Sequence, residues 1–157
     1  MKKAIYAASF DPFTNGHLDI LRKASNMFDE VHALIAFNRD KKRKYHPEYM
    51  KEAIEAVLKR EGIDNCKVFC FNGLVAEYCK DNGIQWAVRG LRNFIDFGYE
   101  ENISNINKRI NPQLETVYLR ADNVDISSSA VRELYDNNID VSDMVPPEIL
   151  PVLRTYF

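Results

Sequence analysis

Short apolar runs alternate with longer amphipathic stretches along nearly all of this 157-residue chain, and that alternation most restricts what it can fold into. Strand signals separated by helix signals are the mark of βαβ units and a parallel sheet. Residues 3–8, 31–37, 67–71, 85–89 and 115–119 read as strands. The second is apolar almost throughout, as expected of a strand covered on both faces. A helix follows Gly16, with Leu18, Leu21, Ala24, Ser25 and Phe28 near one face and Ile20 and Met27 flanking it. Further helices are expected over 47–60, where Pro47 suits a first helical position, and over 74–82, 93–110 and 126–135. A last amphipathic helix begins at Pro146-Pro147 and carries Ile149, Leu150, Val152, Leu153 and Tyr156. Right-handed crossovers make this an α/β, doubly wound, Rossmann-like sheet of five parallel strands, a single domain over 1–157.

Composition narrows the function classes. The chain is 46% hydrophobic and 28% charged, as in soluble globular proteins. With 21 Lys and Arg against 23 Asp and Glu the net charge is −2, without the basic excess of a dedicated nucleic-acid binder. No apolar run is long enough to span a membrane. The apolar run behind Lys2-Lys3 breaks at Asp11-Pro12, so no signal peptide is expected and the cytoplasm is the expected compartment. Cys66, Cys70 and Cys79 have no C-x-x-C spacing and no nearby His, and are expected to be reduced, structural thiols.

In an open α/β sheet, ligands bind at the carboxyl ends of the strands, where helix N-termini present unpaired N–H groups and partial positive charge. Four segments fall at that edge. The first turn supplies Ser9, Thr14 and His17 around Gly16; Thr14 reads equally as a helix cap and His17 as a surface residue. The run Lys41-Lys42-Arg43-Lys44 follows the second strand and reads as a solvated face or as a source of one phosphate-binding lysine. Arg89-Gly90-Leu91-Arg92 follows the fourth, its arginines suited to bidentate phosphate contacts or to ion pairs such as Arg92 with Asp96 at i,i+4. Ser127-Ser128-Ser129 opens a helix with three hydroxyls, Asp125 being a competing cap. Neither G-x-G-x-x-G nor a P-loop is present, which weakens dinucleotide and P-loop readings.

All these groups are cations or hydrogen-bond donors, with no paired carboxylates, Ser-His-Asp order or metal-ligand cluster. They suit a reaction whose substrate brings its own nucleophile. A phosphate monoester is mostly ionised at neutral pH, and its attack on a nucleotide α-phosphorus needs alignment and charge stabilisation more than a protein base.

The segments Ser9-Phe10-Asp11-Pro12 and Thr14-Asn15-Gly16-His17, then Arg89-Gly90-Leu91-Arg92 with Asp96-Phe97 and Tyr99-Glu100, then Ile126-Ser127-Ser128-Ser129, resemble bacterial phosphopantetheine adenylyltransferases over nearly the full length and in order. The resemblance implies transfer of AMP from ATP to 4′-phosphopantetheine with Mg²⁺, giving dephospho-coenzyme A and pyrophosphate, by a cytoplasmic homohexamer. It also implies residue roles. Ser9 would contact both substrates and His17 would stabilise the transition state. Lys41 and Arg89 would hold the acceptor phosphate, with Val75 beside the pantetheine arm. Phe10, Gly90, Leu91, Arg92, Glu100, Asp125, Ile126, Ser127, Ser128 and Ser129 would form the ATP site. The chain departs from the family pattern at Ala8, where Gly is usual, at Gly98, where an acidic residue is usual, and before Ile126, where it is shorter and lacks an aromatic. The rival readings are a related nucleotidyltransferase, such as a cytidylyltransferase acting on another small phosphate, and a non-catalytic nucleotide-binding module.

Overall fold

The computed structural model describes residues 1–38, 40, 42–122 and 125–155, with Phe94 and Ile95 described by backbone alone. Five strands, β1 (Lys3–Ala8), β2 (Glu30–Ala36), β3 (Cys66–Phe71), β4 (Trp86–Leu91) and β5 (Glu115–Arg120), alternate with helices α1 (Asn15–Met27), α2 (Pro47–Glu61), α3 (Val75–Asp81), α4 (Phe94–Ile110) and α5 (Ser128–Asp136). They form one parallel sheet in the order β3-β2-β1-β4-β5, the expected doubly wound α/β class.

Strand period sorts the core into two layers. Ala4 and Tyr6 of β1, with Val31, Ala33 and Ile35 of β2, pack under α1, α2 and Val131 of α5. Ile5, Ala7 and Leu34 point the other way, against Ala76 and Cys79 of α3. Burial pushes the thiols of Cys66 and Cys79 up to about 12, so they behave as small apolar groups, as expected. Helix α2 presents Met50, Ile54, Val57 and Leu58 inward and ends at Gly62, which takes a left-handed φ of 70° and donates its N–H to the Leu58 and Lys59 carbonyls.

Several boundaries depart from the sequence pattern. Strand β4 runs on past Arg89 to Leu91, so Gly90 and Leu91 join Arg89 in the strand, and Arg89, Gly90 and Leu91 pair with Tyr118, Leu119 and Arg120 of β5 respectively. Apolar periodicity alone could not see this, because β5 supplies the bonds that extend it. Gly90 serves packing: a Cβ there would lie 3.2 Å from Ile20 of α1. Phe37 lies just past β2, although its N–H still bonds Phe71. Met27 is 50% exposed and does not flank the apolar face of α1. The last helix is a 3₁₀ helix, Pro147–Arg154, because Pro151 inside it lacks the N–H that an α-helical turn needs. Tyr156 lies outside the described residues. No described helix is long and apolar enough to cross a membrane.

The sheet order reverses between β1 and β4, and there the ladder is shortest. Ala4 pairs with Trp86 and Ile5 with Ala87, with no registered pairs beyond them, whereas the other strand pairs stay in register over their length. The carboxyl ends of β1 and β4 therefore part and open a crevice at the topological switch point.

Truncating Ile54, fully buried between α2 and the sheet, should cost about 2–5 kcal/mol in equilibrium urea unfolding, while Met27→Ala should stay within about 0.5 kcal/mol.

Candidate active site

Two cavities open at this edge and share Ser9 and Arg132 as common wall. The first, about 380 Å³, fills the mouth of the β1–β4 gap beside the N-termini of α1 and α5. The second, about 710 Å³, lies between the turn after β1 and the loop after β2.

The α1 N-terminus is built as a capping box with histidine in the reciprocal position. The Thr14 hydroxyl accepts from the His17 N–H, and the Thr14 N–H donates to His17 Nδ1 at 2.9 Å. A nitrogen that accepts a backbone N–H carries no proton itself, so the neutral ring holds its proton on Nε2 and offers a donor to the first cavity. Phe10 lies edge-on to the imidazole at a ring separation of 4.9 Å, and Phe13 lies 5.5 Å away, fixing its plane. Desolvation, reinforced by Arg92 and Arg89, pushes the imidazole down to about 3, so His17 stays neutral across the physiological range. Burial pushes the Tyr6 phenol up, so it stays protonated near neutral pH.

Arg89 fills the parting of the strands. Its guanidinium donates to Ala7 O at 2.6 Å, replacing a missing ladder bond, and grips Glu100 of α4 through Nε and through Nη2 at 3.0 Å. Arg92 pairs with Asp96 at 2.9 Å, the i,i+4 contact expected as its alternative reading. Asn93 caps α4 through the Asp96 N–H. The cavity is therefore not purely cationic, since the carboxylates of Glu100 and Asp96 also line it.

The three serines divide their hydroxyls. Ser127 is the N-cap of α5, accepting from the Ala130 N–H at 3.2 Å, a role that Asp125 does not take. Ser128 donates to Pro12 O at 2.7 Å and ties α5 to the first turn. Ser129 is exposed at the helix start, 3.3 Å from Ser127 Oγ.

Of the residues singled out from sequence, Ser9, His17, Arg89, Gly90, Arg92, Glu100, Ile126, Ser127, Ser128 and Ser129 line the first cavity together. Phe10 lies buried behind His17, Leu91 closes β4, and Val75 begins α3 against the second core layer. Asp125 is exposed in the turn before Ile126. Lys41, and with it Asn123 and Val124, lies outside the described residues. The cation run is not uniformly solvated: Lys42 is exposed, whereas Arg43 is half-buried with its side chain on backbone carbonyls and Lys44 pairs with Asp136.

Sequence reading missed Tyr6, Tyr99 and Arg132 as cavity residues. Arg132 donates to Asp11 O at 2.5 Å and faces both cavities. Its signal was available: it stands one helical turn after Ser129, on the same face.

Among the described residues no group of three His, Cys, Asp or Glu is placed to cage a metal. The donor set fits an ion that arrives on a nucleotide, because magnesium takes one or two carboxylates and completes its shell with phosphate oxygens and water. The carboxylates that line the first cavity are Asp96, paired with Arg92, and Glu100, paired with Arg89.

Comparison with known proteins agrees with this geometry. Residues 5–134 match the family model described as cytidylyltransferase-like. A phosphopantetheine adenylyltransferase of Leptospira biflexa serovar Patoc (strain Patoc 1 / Ames) is 43% identical over 145 residues, covering 91% of this chain and 89% of the relative. Its counterpart in strain Patoc 1 / ATCC 23582 / Paris matches to the same extent, 43% over 145 residues. The crystal structure of a Vibrio parahaemolyticus protein assigned as a nicotinate-nucleotide adenylyltransferase superposes with a TM-score of 0.69 at 18% identity, over 98% of this chain and 93% of that one, which speaks for the fold. With the identity spread over nearly the whole length and the family model matched over residues 5–134, the chain belongs to the phosphopantetheine adenylyltransferases, nucleotidyltransferase enzymes of the cytidylyltransferase-like group.

Proposed function

We propose that the chain transfers the adenylyl group of ATP to 4′-phosphopantetheine, giving dephospho-coenzyme A and pyrophosphate. The observation that carries this reading is the His17 imidazole, held neutral with its donor nitrogen toward a cavity of arginines and helix N-termini. A phosphate oxygen of the acceptor attacks the α-phosphorus, the bond from that phosphorus to the bridging β-oxygen breaks, and pyrophosphate leaves with the electron pair. The attacking phosphate is already ionised, so a general base has no proton to remove. The developing charge on the α-phosphoryl oxygens is met by His17 Nε2–H.

In this reading the ATP phosphates lie across Arg92 and the α5 start at Ser127, Ser128 and Ser129, with Ser9, Phe10, Gly90, Leu91, Glu100, Asp125 and Ile126 completing the nucleotide site. Arg89 and Lys41 hold the acceptor phosphate and Val75 the pantetheine arm. Arg89 uses three of its five N–H donors on Ala7 and Glu100, leaving donors for a phosphate without breaking either contact. Asp96 and Glu100 would be the carboxylates to hold a magnesium ion carried by the triphosphate, and such an ion would supply neutralisation of charge on the leaving pyrophosphate. We place the enzyme in the cytoplasm as a homohexamer of one domain per chain, without nucleic-acid or membrane partners.

The direct test is pyrophosphate release with ATP, Mg²⁺ and 4′-phosphopantetheine, each omitted in turn. Release that continued without the acceptor, or that required CTP in place of ATP, would reject the assignment. His17→Ala should lower kcat by about 10²–10³ with near-normal ATP affinity, because the contact tightens only in the transition state. Turnover within about threefold of wild type would exclude a catalytic role.

Arg92→Ala should weaken ATP binding in isothermal titration, whereas Ser128→Ala should lose less, because the α5 N–H groups remain. Lys41→Ala and Arg89→Ala should instead weaken the acceptor.

The pH dependence follows from the His17 shift. Its folded value of about 3 lies below the ordinary 6.5, so an unfolded chain takes up a proton there that the folded one refuses. The stability of the native state therefore falls as pH drops from about 6.5 toward 3, and His17→Gln should lose less over that window in acid-unfolding curves. Above about pH 4, nitrogen-edited NMR should show a single Nε2–H tautomer that does not titrate.

A further inference from the structure

The loop after β2 holds an arginine that neither the family resemblance nor the proposed substrate contacts use. Arg43 turns back on the first turn: its Nη1 donates to Ser9 O, its Nη2 to Phe10 O at 3.0 Å, and its Nε to Tyr45 O at 2.7 Å. Asp11 returns the contact, accepting the Lys44 and Tyr45 N–H groups at 2.8 and 2.9 Å. The two loops are thereby clamped in both directions, with Arg43 and Asp11 each half-buried or more.

What Arg43 holds is not ordinary backbone. Phe10 sits at φ 45°, in the left-handed region that a bulky residue seldom adopts, and its ring is the edge-on support of the His17 imidazole. Ser9, on the other side of the same peptide, is with Arg132 one of the two residues that line both cavities. Both captured carbonyls belong to these residues. Without the guanidinium their oxygens would present two partial negative charges beside the second cavity, which an anionic acceptor would have to approach.

We propose that Arg43 is a positioning residue for adenylyl transfer: by capturing the Ser9 and Phe10 carbonyls it sets the conformation that aims Ser9 and braces His17. The inference rests on the proposed transferase reading only for its kinetic consequence. Arg43 touches no reacting atom, and its effect passes through the turn. Because Ser9 is placed against both substrates and Phe10 in the nucleotide site, loss of Arg43 reaches both substrates, and kcat falls through the unbraced His17.

The test compares wild type, Arg43→Met and Arg43→Lys in pyrophosphate release, with melting temperatures measured alongside. Arg43→Met should lower kcat roughly ten- to hundredfold, the scale of a lost charge-assisted hydrogen bond, and raise the KM values for both 4′-phosphopantetheine and ATP. Arg43→Lys, which can still donate to one carbonyl, should recover part of the loss. A lower melting temperature with both KM values and kcat unchanged would mean a merely structural role and would overturn the proposal. If Arg43→Met fails to fold, Arg43→Lys alone carries the test, since its kcat must still fall below that of wild type. A crystal structure of either variant gives a readout independent of activity: Phe10 should leave the left-handed region in at least part of the molecules, and an unchanged Ser9–Phe10 turn would refute the inference. Absence of pyrophosphate release by the wild type would instead reject the transferase reading, leaving the structural readout to decide the role of Arg43.

Discussion

Everything at the ligand edge depends on how the chain deals with two parallel strands that stop pairing. Beyond Ile5 and Ala87 the ladder between β1 and β4 ends, while both strands continue. Backbone groups released inside a protein must find other partners or lose stability. Arg89 provides one by placing its guanidinium on Ala7 O, and Glu100 holds that guanidinium in place from α4. The gap is thereby kept open by a side chain that is itself satisfied, and a cavity can exist where a continuous sheet would have closed.

The same economy of partners runs through the site. Arg92 is held by Asp96, Ser128 by Pro12 O, His17 by the Thr14 N–H and Arg132 by Asp11 O. The arginines and His17 keep contacts that orient them and have further donors for a ligand, whereas Ser128 spends its one hydroxyl hydrogen on Pro12. Such preorganisation places charge where the reaction will develop it, with little rearrangement needed when substrate arrives. The arginine–carboxylate pairs also mean that no bare cation cluster has to be maintained before a nucleotide binds.

Much of this could be read from residue order. Alternating apolar runs revealed the parallel sheet because each run had to be covered on both faces, and Thr14 and the serines were recognisable helix starts. Less accessible were features set by distant partners. The extension of β4 depends on β5, and the 3₁₀ winding at Pro147–Arg154 reflects Pro151 in what otherwise looks like a helical pattern. Arg43 and Arg132 were hidden for a related reason. A charge run or a lone helical arginine does not announce which carbonyl its long side chain will reach, and here those carbonyls are 33 and 121 residues away in sequence. Local pattern reports which face is apolar; it is silent on the path of a flexible cation.

Those long separations bear on the order in which a growing polypeptide can acquire its working form. The turn after β1 is synthesised well before the segments that secure it: its carbonyls at Asp11 and Pro12 are held by Arg132 and Ser128, and the Asn15 N–H by Met144 O. Translation proceeds from the amino end, and contacts between distant segments cannot form before the later one has emerged. A nascent chain that had exposed β1, α1 and β2 would own the histidine and the hydroxyls but not the anchors that orient them. Chemical competence is thus tied to the arrival of the last quarter of the chain, so an incomplete product holds the first turn without its clasp.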